Sequence, residues 1–199
     1  MPTKTSAKAP ASPNAQLPNF GQHPSRSKLS HIETVKGVGK LQLRPIRPDD
    51  EQKMIRFHER LSEENVYMRY FEYLGLDRRT THERLVHVCT NTPESFALVA
   101  EHMPEAGQPA EIMAVGRLTR TPEPSTASFD TLIADEAHEE TIRHILLKHL
   151  VAVARVFGFH ALMGELLVAD HDTSNLCRKL GFSLKTLPKD GLVRVTINL

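Results

Sequence analysis

Residues 134–147 read Ala134-Asp135-Glu136-Ala137-His138-Glu139-Glu140-Thr141-Ile142-Arg143-His144-Ile145-Leu146-Leu147. The apolar run Leu132-Ile133-Ala134 leads into this stretch and a long amphipathic helix leaves it. Apolar residues recur at Ile142, Ile145, Leu146, Leu150, Val153, Ala154 and Phe157, which is helical spacing. Gly158 ends the helix, and residues 159–167 read as the next buried strand. Strand, helix and strand form a crossover unit, so the two strands are expected to run parallel. A helix N-terminus with free amides is a natural anion site. Here the first turn carries two carboxylates, Glu139 and Glu140, where glycines would let a ligand approach.

Working outward, the 199 residues leave room for one domain and a tail. Hydrophobic content of 40% and charged content of 25% suit a globular protein. A net charge of +1 gives no argument for a nucleic-acid or membrane partner. No apolar run approaches the ~20 residues needed to span a bilayer. The N-terminus lacks a hydrophobic signal core, so secretion by that route is not expected. Two cysteines, Cys89 and Cys177, do not make a disulfide framework, and a reducing cytosol is the simple expectation.

Residues 1–37 are rich in Pro, Ser, Ala and Lys with little apolar periodicity. Such a segment buries too little apolar surface to offset its ordering entropy, which predicts a flexible tail followed by a folded domain over 38–199. A basic, Ser-rich start also fits a transit peptide, but Pro10, Pro13 and Pro18 argue against an amphipathic helix there. Within the domain, residues 40–46 alternate and end in prolines, as an edge strand would. Pro48-Asp49-Asp50-Glu51 opens a helix to about Leu61, Ser62 caps another, and Thr80-Thr81-His82-Glu83 has the form of a capping box. Strands are expected over 95–100, 112–118 and 126–133 as an antiparallel meander. After the crossover come a short helix stopped by Gly181 and a closing hairpin, 182–184 with 192–197.

This order resembles the GNAT superfamily of acyl-CoA-dependent N-acyltransferases over residues 41–184. The strongest pieces are Leu43-Arg44-Pro45-Ile46-Arg47-Pro48-Asp49-Asp50, Leu61-Ser62-Glu63-Glu64-Asn65-Val66-Tyr67-Met68-Arg69-Tyr70-Phe71 and Arg178-Lys179-Leu180-Gly181-Phe182. They look like the acetyltransferase module of bacterial protein lysine acetyltransferases. The resemblance implies an α/β (α+β) fold, a mixed, mostly antiparallel sheet flanked by helices. It implies acetyl-CoA or another acyl-CoA as cosubstrate and a protein lysine or small amine as acceptor.

The resemblance also places a pyrophosphate loop, Gln/Arg-x-x-Gly-x-Gly/Ala, on His138, Glu139, Glu140, Thr141, Ile142 and Arg143. Both glycines are replaced, by Thr141 and Arg143, and two acids stand where phosphate would lie. Unit charges ~5 Å apart repel by roughly 3 kcal/mol at an effective dielectric near 20 and by under 1 kcal/mol in water. Weak acyl-CoA binding is therefore expected. The acids also have a reading without any ligand, since carboxylates in the first turn stabilise a helix by roughly 0.3–1 kcal/mol each. The glutamate that serves the family as general base falls on Ser128, and a hydroxyl cannot take a proton from an ammonium unaided. Asp130, on the same strand face, is the substitute candidate; alternatively it is a solvated residue of the sheet. Backbone amides at Leu132, Ile133 and Ala134 would hold the acyl carbonyl, and Asp170 stands at a CoA-contacting asparagine. The family's tyrosine acid falls on Cys177, where a mid-helix cysteine reads as core.

Tyr67, Tyr70 and Phe71 with Arg69 fit either an acceptor groove or one buried helix face. His-x-x-x-His spacing is absent among the eleven histidines, so no metal site is expected. Two functions stay open: an N-acyltransferase, or a GNAT-derived binding or regulatory module that has lost productive acyl-CoA use.

Overall fold

The computed structural model describes residues 18–21, 24–104, 107–134 and 138–199. A one-turn helix α1 (Arg26–Leu29) precedes β1 (His31–Val35) and β2 (Gly39–Pro45). Helices α2 (Glu51–Glu59), α3 (Glu63–Tyr70), α4 (Leu76–Arg79) and α5 (His82–Val88) follow. The meander β3 (Ser95–Met103), β4 (Glu111–Arg120) and β5 (Thr126–Ile133) leads to α6 (Glu139–Val156) and β6 (Ala161–Leu167). Helix α7 (His171–Lys179) and the hairpin β7 (Ser183–Leu187) and β8 (Leu192–Asn198) complete the chain. One eight-stranded sheet has the order β1-β2-β3-β4-β5-β6-β8-β7. Every pairing is antiparallel except β5 with β6, so the expected mixed, mostly antiparallel sheet is present.

Each face of the sheet carries its own apolar layer, and the alternation of β3 shows how. Phe96, Leu98 and Ala100 enter the layer under α6 and α7, while Ala97 and Val99 enter the layer under α2, α3 and α5. Helix α6 buries Ile142, Leu146, Leu147, Leu150, Val151, Val153 and Ala154. It lies so close to β4 that a Cβ at Gly116 would meet Leu150 Cδ1 at 2.6 Å. Both crossover-region helices stop as read, at Gly158 (φ 82°) and Gly181 (φ 90°). After Gly181 the amide of Phe182 donates to Cys177 O at 3.0 Å and that of Gly181 to Arg178 O at 3.1 Å, a paired closure that needs the left-handed residue.

Beneath α2, Arg44 is fully enclosed and holds two carboxylates. Its Nη1 and Nη2 donate to the two oxygens of Asp50, each at 2.7 Å, and its Nε to Glu101 at 2.8 Å. Asp50 also accepts from the amide of Arg47 at 2.8 Å. Burial raises the Glu101 carboxyl, but hydrogen bonds from Arg44 and Lys53 outweigh it and hold the group down at about 2. The pair therefore ties β2, β3 and the entry to α2 together.

Three readings from sequence are corrected here. Residues 1–37 are not all tail: β1 pairs with β2 from His31↔Leu43 to Val35↔Gly39, and Leu29 and Val35 are buried. Residues 1–17 lie outside the described residues. Strand β2 is consequently interior, flanked by β1 and β3. Thr81 stands at the N-cap of α5 but its side chain accepts no cap hydrogen bond, and the one-turn α4 precedes it.

Phe20 shows why the early segment matters. It is 5% exposed and packs against Phe96, Phe157 and Phe159 at ring-centroid distances of 6.0, 5.1 and 5.0 Å. The amide of Phe20 donates to Pro93 O at 3.0 Å. Phe20→Ala is expected to lower the unfolding free energy by about 3 kcal/mol, as for a buried aromatic. Urea denaturation checks this, and an unchanged midpoint would contradict docking of the segment.

Candidate functional site

Strands β5 and β6 stay paired through three registers only, Thr126 with Ala161, Ala127 with Leu162 and Ser128 with Met163. Beyond that they part. Strand β5 continues against β4 to Ile133, and β6 against β8 to Leu167. The edges of 129–133 and 164–167 that face one another have no strand partner. At the fork the Phe129 ring lies over Gly164, where a Cβ would sit 2.7 Å from Phe129 Cε1. A cleft of about 880 Å³ fills the opening, walled by α3, the first turn of α6 and the start of α7.

Several residues singled out from sequence line this cleft: Ser128, Asp130, Leu132, Glu139, Glu140, Arg143 and Asp170, with Arg69 and Phe71 from α3. Others do not. Ile142 is 1% exposed in the core beneath α6, so its place in the loop pattern is overridden by helical phase. Ile133 and Ala134 are likewise buried, and the Ala134 amide donates to Met113 O at 2.9 Å, which removes it as a free donor. His138 takes φ 75° and its ring turns to the β1–β2 turn, where a Cβ at Gly37 would come within 2.5 Å of Nε2. Thr141 is exposed and outside the cleft lining. Asp135, Glu136 and Ala137, the approach to the loop, lie outside the described residues.

The rings of Tyr67 and Tyr73 meet at a centroid distance of 4.9 Å, tilted by 30°, and the guanidinium groups of Arg69 and Arg84 each lie over the Tyr70 ring. Arg69 and Phe71 therefore line the cleft, Tyr70 lines a smaller cavity beside it, and Tyr67 lines neither. Cys177 is fully buried, and burial pushes its thiol up to about 12, so it stays protonated at neutral pH. No cluster that could hold a metal ion occurs among the described residues.

The electrostatics of the cleft are lopsided. Its lining carries seven carboxylates, Glu64, Asp130, Glu139, Glu140, Glu165, Asp170 and Asp172, against Arg69 and Arg143. Local pairs absorb part of that charge. Arg143 pairs with Glu139 one turn earlier, and Arg194 reaches Glu165 at 2.6 Å from outside. Asp170 caps α7, accepting from the Thr173 amide at 3.0 Å. Glu140, with its side chain 77% exposed, has a loose partner in Lys179 at 3.6 Å.

Ser128 Oγ donates to Thr119 O at 3.3 Å. Asp130 is the carboxylate on the same face. It pairs with Arg69 at 2.6 Å and stands across the strands from Arg117. Burial pushes the Asp130 carboxyl up, while Arg69 and Arg117 pull it back down. Its side chain remains 32% exposed, so water tempers the rise. Asp130 thus lines the cleft with two cationic neighbours and a part-exposed carboxylate.

No family model matches the sequence. Solved structures do match the architecture just described. The GNAT domain of S. lividans PAT superposes with TM-score 0.73 at 24% identity, covering 89% of this chain and 100% of that one. The chain has the GNAT fold. Mycobacterium smegmatis RimJ, solved in complex with CoA-disulfide, matches with TM-score 0.63 at 14% identity over 85% of each chain. Vibrio cholerae spermidine N-acetyltransferase, in complex with CoA and spermine, matches with TM-score 0.62 at 16% identity over 79% of this chain and 95% of its own.

The two candidate catalytic positions are separable by their contacts. Ser128→Ala removes one long hydrogen bond and is expected to cost under about 1 kcal/mol. Asp130→Asn leaves Arg69 and Arg117 without their carboxylate and should cost about 1–2 kcal/mol, a buried-pair penalty discounted for solvent access. Denaturant midpoints ranking the two in reverse would contradict the placement of Asp130.

Proposed function

We propose that the chain is a GNAT-family N-acyltransferase that transfers an acyl group from acyl-CoA to an amine, a protein lysine or a small amine. The observation that carries this reading is the fork of β5 and β6. It leaves backbone donors and acceptors of 129–133 facing a cleft, and a linear amide-bearing chain can satisfy them as an added strand does. The acyl-pantetheine end of acyl-CoA has that chemistry. The register that turns the amides of Leu132 and Ala134 to β4 turns those of Thr131 and Ile133 to the fork, where they would meet the thioester oxygen as charge develops on it. The amine nitrogen forms the new amide bond at the acyl carbon, the carbon–sulfur bond breaks, and CoA leaves as the thiol.

The proton must leave the ammonium first, and Asp130 is the carboxylate in position to take it, directly or through a water. Doing so requires the Asp130 oxygen to exchange its contact with Arg69. Met68, Arg69 and Phe71 of α3 line the side from which an acceptor would enter. A cleft rich in carboxylates favours a cationic acceptor. Two buried free cysteines fit a reducing compartment, the cytoplasm, and no described helix is long and apolar enough to cross a membrane.

A specific observation supports the second reading, a module that has lost productive acyl-CoA use. The pyrophosphate end does not fit as well as the pantetheine end, because the α6 N-terminus presents Glu139 and Glu140 to the cleft. Arg143, the cation best placed to offset them, is already paired with Glu139. Weak CoA binding follows for either reading, and turnover separates them.

Calorimetry with acetyl-CoA tests this. The native chain should bind weakly, and Glu139→Gln/Glu140→Gln should bind about ten-fold tighter or better, since the double change removes two repulsions and frees Arg143. Micromolar binding by the native chain, unchanged in the double variant, would contradict the electrostatic argument. Lysine or polyamine acetylation by the native chain would decide for the enzyme over the binding module.

A further inference from the structure

Behind the Arg69–Asp130 ion pair lies a second cavity, of about 270 Å³. It is walled by α2, α3 and α5 against β3, β4 and β5, and shares Arg69, Asp130 and Leu132 with the larger cleft. Its charge is opposite to that of the cleft. Three guanidinium groups, Arg69, Arg84 and Arg117, line it against the single carboxylate of Asp130.

That carboxylate is engaged by Arg69 at 2.6 Å. Arg84 has no carboxylate within ion-pair distance among the described residues, and its Nε is buried without a hydrogen-bond partner. Arg117 donates to neutral acceptors, Ser95 Oγ at 2.8 Å and Val88 O at 2.6 Å. Two of the cations lie over the Tyr70 ring, the guanidinium carbon of Arg69 5.0 Å and that of Arg84 5.3 Å from its centroid. The cations also crowd their neighbours. Burial, then Arg79 and Arg84, lower His58 to about 4, so this 3% exposed imidazole is neutral at pH 7.

Three guanidinium groups held in a part-buried cavity with one carboxylate between them are costly, and an incoming oxyanion relieves the cost while meeting a planar fork of donors. We propose that this cavity is an oxyanion subsite that takes a carboxylate of the acyl-transfer ligand, held by Arg84 and Arg117. The cavity adjoins the cleft across the Arg69–Asp130 pair, so one ligand can present its reacting group to Asp130 and its carboxylate to Arg84. The subsite stands on the cavity alone; the identity of the ligand rests on the N-acyltransferase reading. Two sources supply the same chemistry: an acceptor bearing both amine and carboxylate, as an amino acid does, or a dicarboxylic acyl group.

Calorimetry with succinate and with succinamide, at matched ionic strength and without any acyl-CoA, tests the subsite. Succinate should bind at least about ten-fold tighter than its uncharged diamide, as charge-assisted hydrogen bonds require. Arg84→Gln should lose that margin and Arg84→Lys recover part of it. Equal binding of succinate and succinamide overturns the subsite, as does undiminished succinate binding in folded Arg84→Gln. If Arg84→Gln does not fold, the succinate–succinamide comparison on the native chain decides. A flat succinate titration beside measurable acetyl-CoA binding removes the subsite and leaves the acyl-transfer reading intact.

Two further arms locate the carboxylate. Tighter binding of succinyl-CoA than of acetyl-CoA, levelled by Arg84→Gln, places it on the acyl group. Faster acetylation of aspartate than of its diamide, levelled by the same change, places it on the acceptor. Neither preference in the native chain overturns the assignment to an acyl-transfer ligand.

Discussion

A strand that loses its neighbour part-way must satisfy its amides and carbonyls by other means, and this constraint organises the molecule. Strands β5 and β6 pair through Ser128 and Met163 and then separate, each held from its far side by β4 or β8. Closing the fork is opposed by the Phe129 ring over Gly164. The crossover helix α6 packs on β4 and β5, and its close approach to β4 at Gly116 sets where its first turn meets the cleft. Fold and site are therefore one arrangement: the topology that makes β5 and β6 parallel neighbours also creates an edge that only water or a ligand can pair.

Charge divides this site into two compartments. Carboxylates dominate the side of α6 and α7, and guanidinium groups dominate the cavity under α2 and α5. The Arg69–Asp130 pair stands between them and belongs to both. A ligand with an amine at one end and a carboxylate at the other would match that division, whereas a pyrophosphate at Glu139 and Glu140 would not. The balance between these two effects decides how far acyl-CoA chemistry survives in this chain.

Much of the fold was legible because its signals are periodic. The apolar stripe of α6 from Ile142 to Ala154 and the glycines after α6 and α7 give the crossover, and the runs around Val99, Val115 and Phe129 give the meander. Strand β1 was not legible, because it is an edge strand that buries only Val35 and so shows no apolar alternation. Phe20 was hidden for the same reason, a single anchoring aromatic in a Pro- and Ser-rich stretch. Asp50 read as a helix-opening acid, while its larger role as partner of Arg44 depends on a strand six residues earlier. In the site, aligning a loop pattern placed Ile142 at a ligand although the helical stripe already assigned it to the core. Arg84 and Arg117 went unnoticed because they come from separate elements with no spacing to connect them.

The most direct test of the account is backbone amide NMR of the native chain titrated with acetyl-CoA. The unpaired edge predicts the largest shift changes, and new protection from exchange, at residues 129–133 and 164–167, with the β1–β2 pairing unaffected. Binding that leaves both edges unperturbed and acts elsewhere on the surface would contradict the fork as the ligand site.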